Sequence, residues 1–255
     1  MVGAVYLDER TLGLLNPSTE ILSMRVSILQ LSYLPWLGFF EQMHRSDQFV
    51  LYDDVQFTRR DWRNRNRIRV QEGSNWLTVP VIQKNKYKQS LLEVQIDNST
   101  SWKRKHLETI RCHYSKTPFF DLYFPWCEKI YNSEWNYLLD LSLETVQYLK
   151  EELKIKTPIV RSSELGGAGN KTQRLISICK KLGATHYLSG ESARNYILGS
   201  EFSDQNIELE YQEYKHPEYP QRYQGFVPFL STIDLLFNCG EKSLGILKQP
   251  VPHCN

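Results

Sequence analysis

Two stretches of the chain concentrate the residue types that could do chemistry. The first, residues 32–69, contains the acidic pair Asp53-Asp54 and arginines at positions 59, 60, 63, 65, 67 and 69. Arginine binds phosphate or carboxylate through paired hydrogen bonds. The second stretch, residues 216–223, is a proline-stiffened loop that contains His216. Carboxylate and imidazole groups are candidate bases, so we expect the two stretches to form one closed site.

The acidic pair follows residues 49–51, an apolar stretch that predicts a strand. Successive side chains of a strand point to opposite faces, so only one of Asp53 and Asp54 needs to reach a ligand. In open α/β sheets, ligands bind outside the carboxyl ends of the strands, where this pair falls. The alternative is that both carboxylates are solvated residues of a turn.

The arginines predict a charged face on a β-hairpin that turns at residues 72–75. If residues 63–70 are extended, their period of two sorts the side chains into two faces. One face carries Arg63, Arg65, Arg67 and Arg69, and the other carries Asn64, Asn66, Ile68 and Val70. The like charges repel, so the row predicts an anionic ligand or, alternatively, a solvated edge strand. Asn64 can join Arg63 at one ligand only if the strand bulges or twists.

The composition is that of a globular protein with one large or two small domains, at 255 residues, 41% hydrophobic and 24% charged. The net charge of +2 gives no general signal for nucleic-acid binding. Five cysteines without a C-x-x-C pair disfavour disulfides and a zinc site, so we expect reduced thiols, no metal and a cytoplasmic location. No apolar run is long enough to cross a membrane.

Alternating strand and helix patterns predict an α/β fold with a mostly parallel, Rossmann-like sheet. We expect its strands near residues 26–30, 49–51, 158–160, 185–188 and 207–211, with the hairpin and a helical segment of about residues 100–153 as insertions. Gly38 within the first helix predicts close approach of another group to the backbone. A capping box, Ser231 with Asp234, explains that aspartate structurally, and residues 162–170 read as a flexible loop.

The chain divides into three parts by composition. Residues 1–24 differ in composition from the rest of the chain and predict a leader or extension, and we expect residues 25–247 to form a single domain. Residues 248–255 predict a loose tail.

Several motifs resemble those of the bacterial WbqC-like family. They run in order from Val26 to Leu247 and include YLPWLGFF, SDQFVLYDDVQF, DWRNRNRI, WLTVP, YKHPEYPQ and LSTIDLLFNCG. The resemblance implies a role in O-antigen or other surface-polysaccharide synthesis, in which an aminoacyl group is transferred to an amino sugar. It also implies an association with carrier proteins. Many members have a His and an Asn-Tyr where this chain has Leu29 and Ser32-Tyr33, so a mechanism that needs that His is in doubt here.

We therefore expect an acyl or aminoacyl transferase that forms an amide on the amine of a nucleotide-linked amino sugar or of another small molecule. The donor would be carried on the phosphopantetheine of a partner carrier protein. The candidate bases are Asp54, His216 and His106. The candidate substrate-binding residues are Gln30, Tyr33, Asp53, Gln56, Trp62, Arg63, Asn64, Arg65, Asn66, Ser189, Gly190, Glu191, Tyr196, Tyr219 and Gln221.

Two other functions fit the same sequence. The first strand, aromatic helix and DDVQF are similar in layout to nucleotidyl-transfer folds of the HUP type, which predicts an ATP-dependent ligase. The paired histidines that such enzymes use for ATP phosphates are missing after the first strand. The third option is a non-catalytic module that binds a carrier protein or a glycan.

Overall fold

The computed structural model describes residues 23–58, 61–84, 86, 88–169, 171–195 and 197–248. Its strands are β1 (Arg25–Gln30), β2 (Gln48–Tyr52), β3 (Arg65–Arg69), β4 (Ser74–Thr78), β5 (Ile159–Arg161), β6 (His186–Ser189) and β7 (Glu208–Tyr211). Five of them form one parallel sheet in the order β5-β2-β1-β6-β7. The strands β3 and β4 form a separate antiparallel hairpin. The predicted α/β class, with its parallel sheet and inserted hairpin, is confirmed.

The helices cover both faces of the sheet. They are α1 (Leu37–His44), α2 (Trp102–Tyr114), α3 (Phe120–Asn132), α4 (Leu138–Glu152), α5 (Ser162–Leu165), α6 (Lys171–Lys181), α7 (Gly199–Ser203), α8 (Thr232–Cys239) and α9 (Ser243–Leu247). Helix α5 occupies the start of the stretch at 162–170 that the sequence predicts to be a flexible loop. No helix in the described part of the chain is long and apolar enough to span a bilayer.

The alternation of side chains along β2 divides the core into two clusters. Phe49 and Leu51 pack with α1 and the inserted helices α2–α4, whereas Val50 packs with α6 and α7 on the opposite face. Both faces of the central strands are therefore covered, as parallel sheets require. Only the ends of these strands remain open to a ligand.

Asp234 has a second structural role besides its predicted place in the capping box. Ser231 caps α8 through its side chain, but the carboxylate of Asp234 is 0% exposed and points elsewhere. It accepts hydrogen bonds from the hydroxyls of Tyr114 at 2.7 Å and Tyr219 at 2.9 Å, and from Gln221 Nε2 at 3.0 Å. This carboxylate ties α2 and the loop at residues 219–221 to α8. Burial raises its pKa to about 6, against the lowering effect of these hydrogen bonds.

Residues 1–22 and 249–255 lie outside the described residues. The predicted leader at 1–24 and the predicted tail at 248–255 therefore stay predictions.

Candidate functional site

A cavity of about 660 Å³ lies at the carboxyl ends of β1 and β6. The strand order of the sheet reverses between these two strands. β1 pairs with β2 from Val26 to Gln30 but with β6 only at Arg25 and Val26, so the two strands separate beyond that point. Their ends, residues 28–30 and 189–190, line the cavity. Such a reversal point is where open α/β sheets bind ligands.

The cavity lining combines aromatic rings with charged groups. Its rings include Trp36, Trp62, Tyr214 and Phe229, and its charged residues are Arg63, Lys171 and Glu191. Glu191 is the one acidic residue of the lining among the described residues. Two cations with flat apolar walls are suited to a ligand that has both an anionic group and a ring.

Arg63 is held in place at the end of β1. Its Nη1 donates to the carbonyl oxygen of Gln30 at 3.2 Å and to Ser32 Oγ at 3.0 Å. Its Nη2 lies 3.5 Å from the carboxylate of Asp61. Burial alone raises the pKa of Asp61, but the charge of Arg63 and local hydrogen bonds outweigh it and lower that pKa. The guanidinium is thus fixed at the cavity by both backbone and charge.

Trp36 forms one wall of the cavity and depends on Gly38. A Cβ atom at Gly38 would lie 2.2 Å from the indole of Trp36, which therefore covers the start of α1 only because residue 38 is glycine. The approach predicted at Gly38 is thus that of an aromatic ring. The same indole packs edge-on against Tyr214 and at a tilt against Phe229, each with ring centroids 5.7 Å away.

The predicted row of four arginines divides into separate environments. Arg65 stacks on Trp76 at 4.3 Å, and Arg67 lies 5.7 Å from the rings of both Trp62 and Trp76. Arg69 is 3% exposed. It donates to four backbone carbonyl oxygens, those of residues 70, 73, 224 and 225, at 2.7 to 3.1 Å. The row is therefore not one anion-binding face, because the cavity receives Arg63 alone of the four.

Sequence comparisons assign the chain to a protein family. The chain matches the model of the WbqC-like protein family over residues 30–246. The chain belongs to the WbqC-like family. It is also 36% identical over 226 residues to the uncharacterized protein Rv1507c of Mycobacterium tuberculosis, across 88% of this chain and 97% of that protein. No solved structure matches the chain.

The acidic pair of this WbqC-like protein lies outside the cavity lining. The carboxylate of Asp53 accepts hydrogen bonds from Arg161 Nε at 2.6 Å and from the backbone and hydroxyl of Ser163. Burial raises the pKa of Asp53, but these bonds outweigh it and hold that pKa below its ordinary value. Asp54 accepts from Ser162 Oγ at 2.6 Å and is paired with Arg174. Both carboxylates anchor the start of α5 and α6 to β2, and neither lines the cavity.

His106 and Tyr33 belong to a hydrogen-bonded network in the core. The carbonyl of Thr78 only accepts, so His106 Nε2 donates to it at 3.1 Å and Nδ1 accepts from the Tyr33 hydroxyl at 3.1 Å. The Tyr33 hydroxyl also bonds to that of Tyr131. Burial lowers the pKa of His106 to about 4. Both residues are structural in this geometry, because their polar atoms are used inside the protein and they do not line the cavity.

His216 lies behind the cavity wall, in a nest of aromatic rings. Its ring centroid is 5.2 Å from Phe229, 6.1 Å from Tyr219 and 6.3 Å from Tyr214. Nδ1 donates to the carbonyl oxygen of Pro217 at 2.9 Å, and burial lowers the pKa of the imidazole. The two cavity rings, Tyr214 and Phe229, thus stand between His216 and a ligand.

The remaining predicted residues are divided between the cavity and its supports. Gln30, Trp62, Asn66, Ser189, Gly190 and Glu191 line the cavity together with Arg63. Two other amides support the frame: Asn64 Nδ2 donates to the carbonyl of Val79, and Gln221 binds Asp234. Gln56 forms a backbone β-bridge with Ser90 and lies outside the lining. Tyr219 and Arg65 lie outside the lining, and Tyr196 lies outside the described residues.

The cavity residues that the sequence did not indicate as ligand-binding include Gln42, Lys171, Tyr214 and Phe229. A signal was present for Gln42, since it is an amide placed between Phe40 and Met43 in the apolar stripe of the first helix. A polar residue buried among core positions needs a partner. Lys171 is the first residue of α6, and Tyr214 reaches the cavity from the loop after β7, whose path no periodicity predicts.

Proposed function

We propose that this WbqC-like protein is an acyl or aminoacyl transferase that forms an amide on the amine of a nucleotide-linked amino sugar. The observation that carries the proposal is the cavity at the reversal point of the sheet. Arg63 and Lys171 supply two cations for the phosphates of such a substrate, and Trp62 and Phe229 supply apolar faces for a sugar or a base. The product would enter a surface polysaccharide.

The chemistry requires a base, and the geometry favours Glu191 over the three bases expected from the sequence. Glu191 lines the cavity, whereas Asp54, His106 and His216 do not. The amine nitrogen attacks the acyl carbon of a thioester on the phosphopantetheine of a carrier protein. The C–N bond forms, the C–S bond breaks, the thiolate leaves, and Glu191 accepts the proton of the amine. Backbone N–H groups at 189–190 would stabilise the oxyanion.

The test is mass spectrometry of a panel of nucleotide-linked amino sugars incubated with acyl- and aminoacyl-loaded carrier protein. We expect Glu191→Gln to lower kcat by roughly a hundredfold or more, as loss of a general base does. We expect Arg63→Met to raise KM by about tenfold or more, since a charged hydrogen-bond partner is lost. The matched controls are Glu108→Gln and Arg104→Met, an exposed pair on α2 whose side chains are 66% and 74% exposed.

Unchanged turnover in Glu191→Gln removes the base assignment. The absence of amide product with every donor and acceptor pair rejects the transferase.

A second candidate, an ATP-dependent ligase, is favoured by the strand order. The order β5-β2-β1-β6-β7 places two strands on one side of β1 and two on the other, as in nucleotide-binding sheets. This enzyme would need ATP and would release AMP or ADP in step with product. Thermal stabilisation by ATP with Mg²⁺, but not by nucleotide sugars, favours the ligase. Binding of a carrier protein or glycan without any turnover favours the non-catalytic module.

A further inference from the structure

Gln42 occupies the gap that opens where β1 and β6 separate. The residue lies in α1, is 0% exposed to solvent and lines the cavity. Its Nε2 donates at 2.7 Å to the carbonyl oxygen of Leu188 in β6. β6 has no pairing with β1 at Leu188 in the ladder between these strands. The amide of Gln42 therefore takes the place of a missing backbone partner.

The other end of this amide is left unused. Because the carbonyl of Leu188 can only accept, the nitrogen of Gln42 must face it, and the orientation of the amide is fixed. Gln42 Oε1 is buried and has no hydrogen-bond partner among the described residues. A buried acceptor without a partner costs stability, so its retention beside a cavity points to a donor that comes from a ligand.

The cavity lining contains a second buried polar atom for which the described residues provide no hydrogen-bond partner. The hydroxyl of Tyr214 is buried and has no partner in the part of the chain that the structure describes. Burial raises the pKa of Tyr214, so the phenol stays neutral and can donate. The cavity thus offers a neutral acceptor and a neutral donor in addition to its charges.

Gly190 keeps the approach to Gln42 open. A Cβ at Gly190 would lie 3.8 Å from Gln42 Oε1, an ordinary contact that needs no shift of the backbone. Glycine at this position therefore leaves space next to the acceptor. Glu191 follows directly, so a donor held by Gln42 lies beside the base named in the proposed function.

We propose that Gln42 determines substrate specificity by accepting a hydrogen bond from the amine of the sugar. The inference rests on the proposed function for the identity of the substrate, an amino sugar that carries phosphate. An analogue with hydrogen in place of the amine leaves Oε1 buried without a partner, and binding of that analogue is penalised. The alternative is that Gln42 serves only to hold Leu188.

The experiment measures binding by calorimetry with UDP-sugars that carry an amine, a hydroxyl or a hydrogen at C2, C3 or C4. We expect the wild type to prefer one amine over its deoxy analogue by roughly ten- to a hundredfold. Gln42→Met removes the acceptor and the bond to Leu188. Gly190→Ala keeps that bond and covers the acceptor with a methyl group. Both variants should bring the ratio close to one.

Several outcomes overturn the inference: no preference in the wild type, no binding of any probe, or a ratio that Gly190→Ala leaves intact. If Gln42→Met weakens the binding of the amino sugar and of its deoxy analogue equally, so that their ratio is unchanged, Gln42 serves only to hold Leu188. Turnover is scored separately. If the preference for the amine over the deoxy analogue depends on Gln42 but no amide product forms, only the transferase is rejected. If amide product forms but both variants keep the full preference, only the role of Gln42 is rejected.

Discussion

Two buried titratable groups give this protein opposing responses to acid. His106 has a pKa lowered from 6.5 to about 4 by burial, and Asp234 has a pKa raised from 3.8 to about 6 by burial. The lowered pKa of His106 contributes stability that is present above pH 6.5 and is lost as the pH falls through 4. The raised pKa of Asp234 contributes stability that is present below pH 3.8 and is lost as the pH rises through 6.

The two contributions have similar size. The shift of either group is a little more than two pKa units, which corresponds to about 3 kcal/mol at 1.4 kcal/mol per unit. The pH ranges over which the two contributions change overlap between about pH 4 and pH 6. In that range, one group adds to the free energy of unfolding about as much as the other removes. We therefore expect these groups to cancel in the wild type and to be visible only when one is removed.

The variants His106→Gln and Asp234→Asn separate the two effects. Glutamine can donate to Thr78 and accept from Tyr33 as His106 does, without titrating. The free energy of unfolding of His106→Gln should rise by about 3 kcal/mol, relative to wild type, as the pH falls from 7 to 4. That of Asp234→Asn should fall by a similar amount over the same range. Urea unfolding, followed by tryptophan fluorescence at several pH values, measures both differences.

The change of the stability difference with pH decides the result, because each substitution also lowers the free energy of unfolding by an amount that does not depend on pH. A stability difference between wild type and His106→Gln that stays flat with pH refutes the assignment of His106 as a buried neutral imidazole. A flat difference for Asp234→Asn refutes the buried carboxylate in the same way.

Two further substitutions test the walls of the site. Gly38→Ala adds a Cβ that would lie 2.2 Å from the Trp36 ring, so the indole must leave the cavity wall. We expect the affinity for the UDP-amino sugar to fall at least tenfold. The free energy of unfolding should change little, because alanine favours the helix by about 1 kcal/mol relative to glycine. An unchanged affinity contradicts this role of Trp36. Arg69→Lys cannot reach all four carbonyl oxygens and should cost about 2 to 3 kcal/mol in urea unfolding, against less than about 1 for the partly exposed Arg67→Lys. Equal losses in the two variants contradict the buried role of Arg69.

Local pattern predicts the individual strands and the hairpin because each depends on residues close in sequence. The period of two correctly assigns Asn64, Asn66 and Ile68 to a buried face, but it also places the buried Arg69 with arginines that are partly exposed. Arg69 is buried because carbonyls of residues 224 and 225 reach it. That contact joins parts of the chain about 155 residues apart, and no local pattern contains it.

The bases illustrate a second limit. Asp54 and His106 have suitable chemistry, and the sequence places Asp54 at the right edge of the sheet. The structure places both outside the cavity lining, where their partners are Arg174 for one and Tyr33 with Thr78 for the other. Glu191 is prominent only once the strand order shows that β6 borders the reversal point.

The separation of β1 and β6 has a mechanical consequence. A sheet resists being pulled apart through its ladder of backbone hydrogen bonds, and this ladder is shortest between these two central strands. Above the ladder, the bond between Gln42 and Leu188 bridges α1 and β6. Widening the cavity there opposes one side-chain hydrogen bond, worth about 1 kcal/mol, rather than several rungs of the sheet. We therefore expect this sheet to yield first along the seam where a ligand would enter.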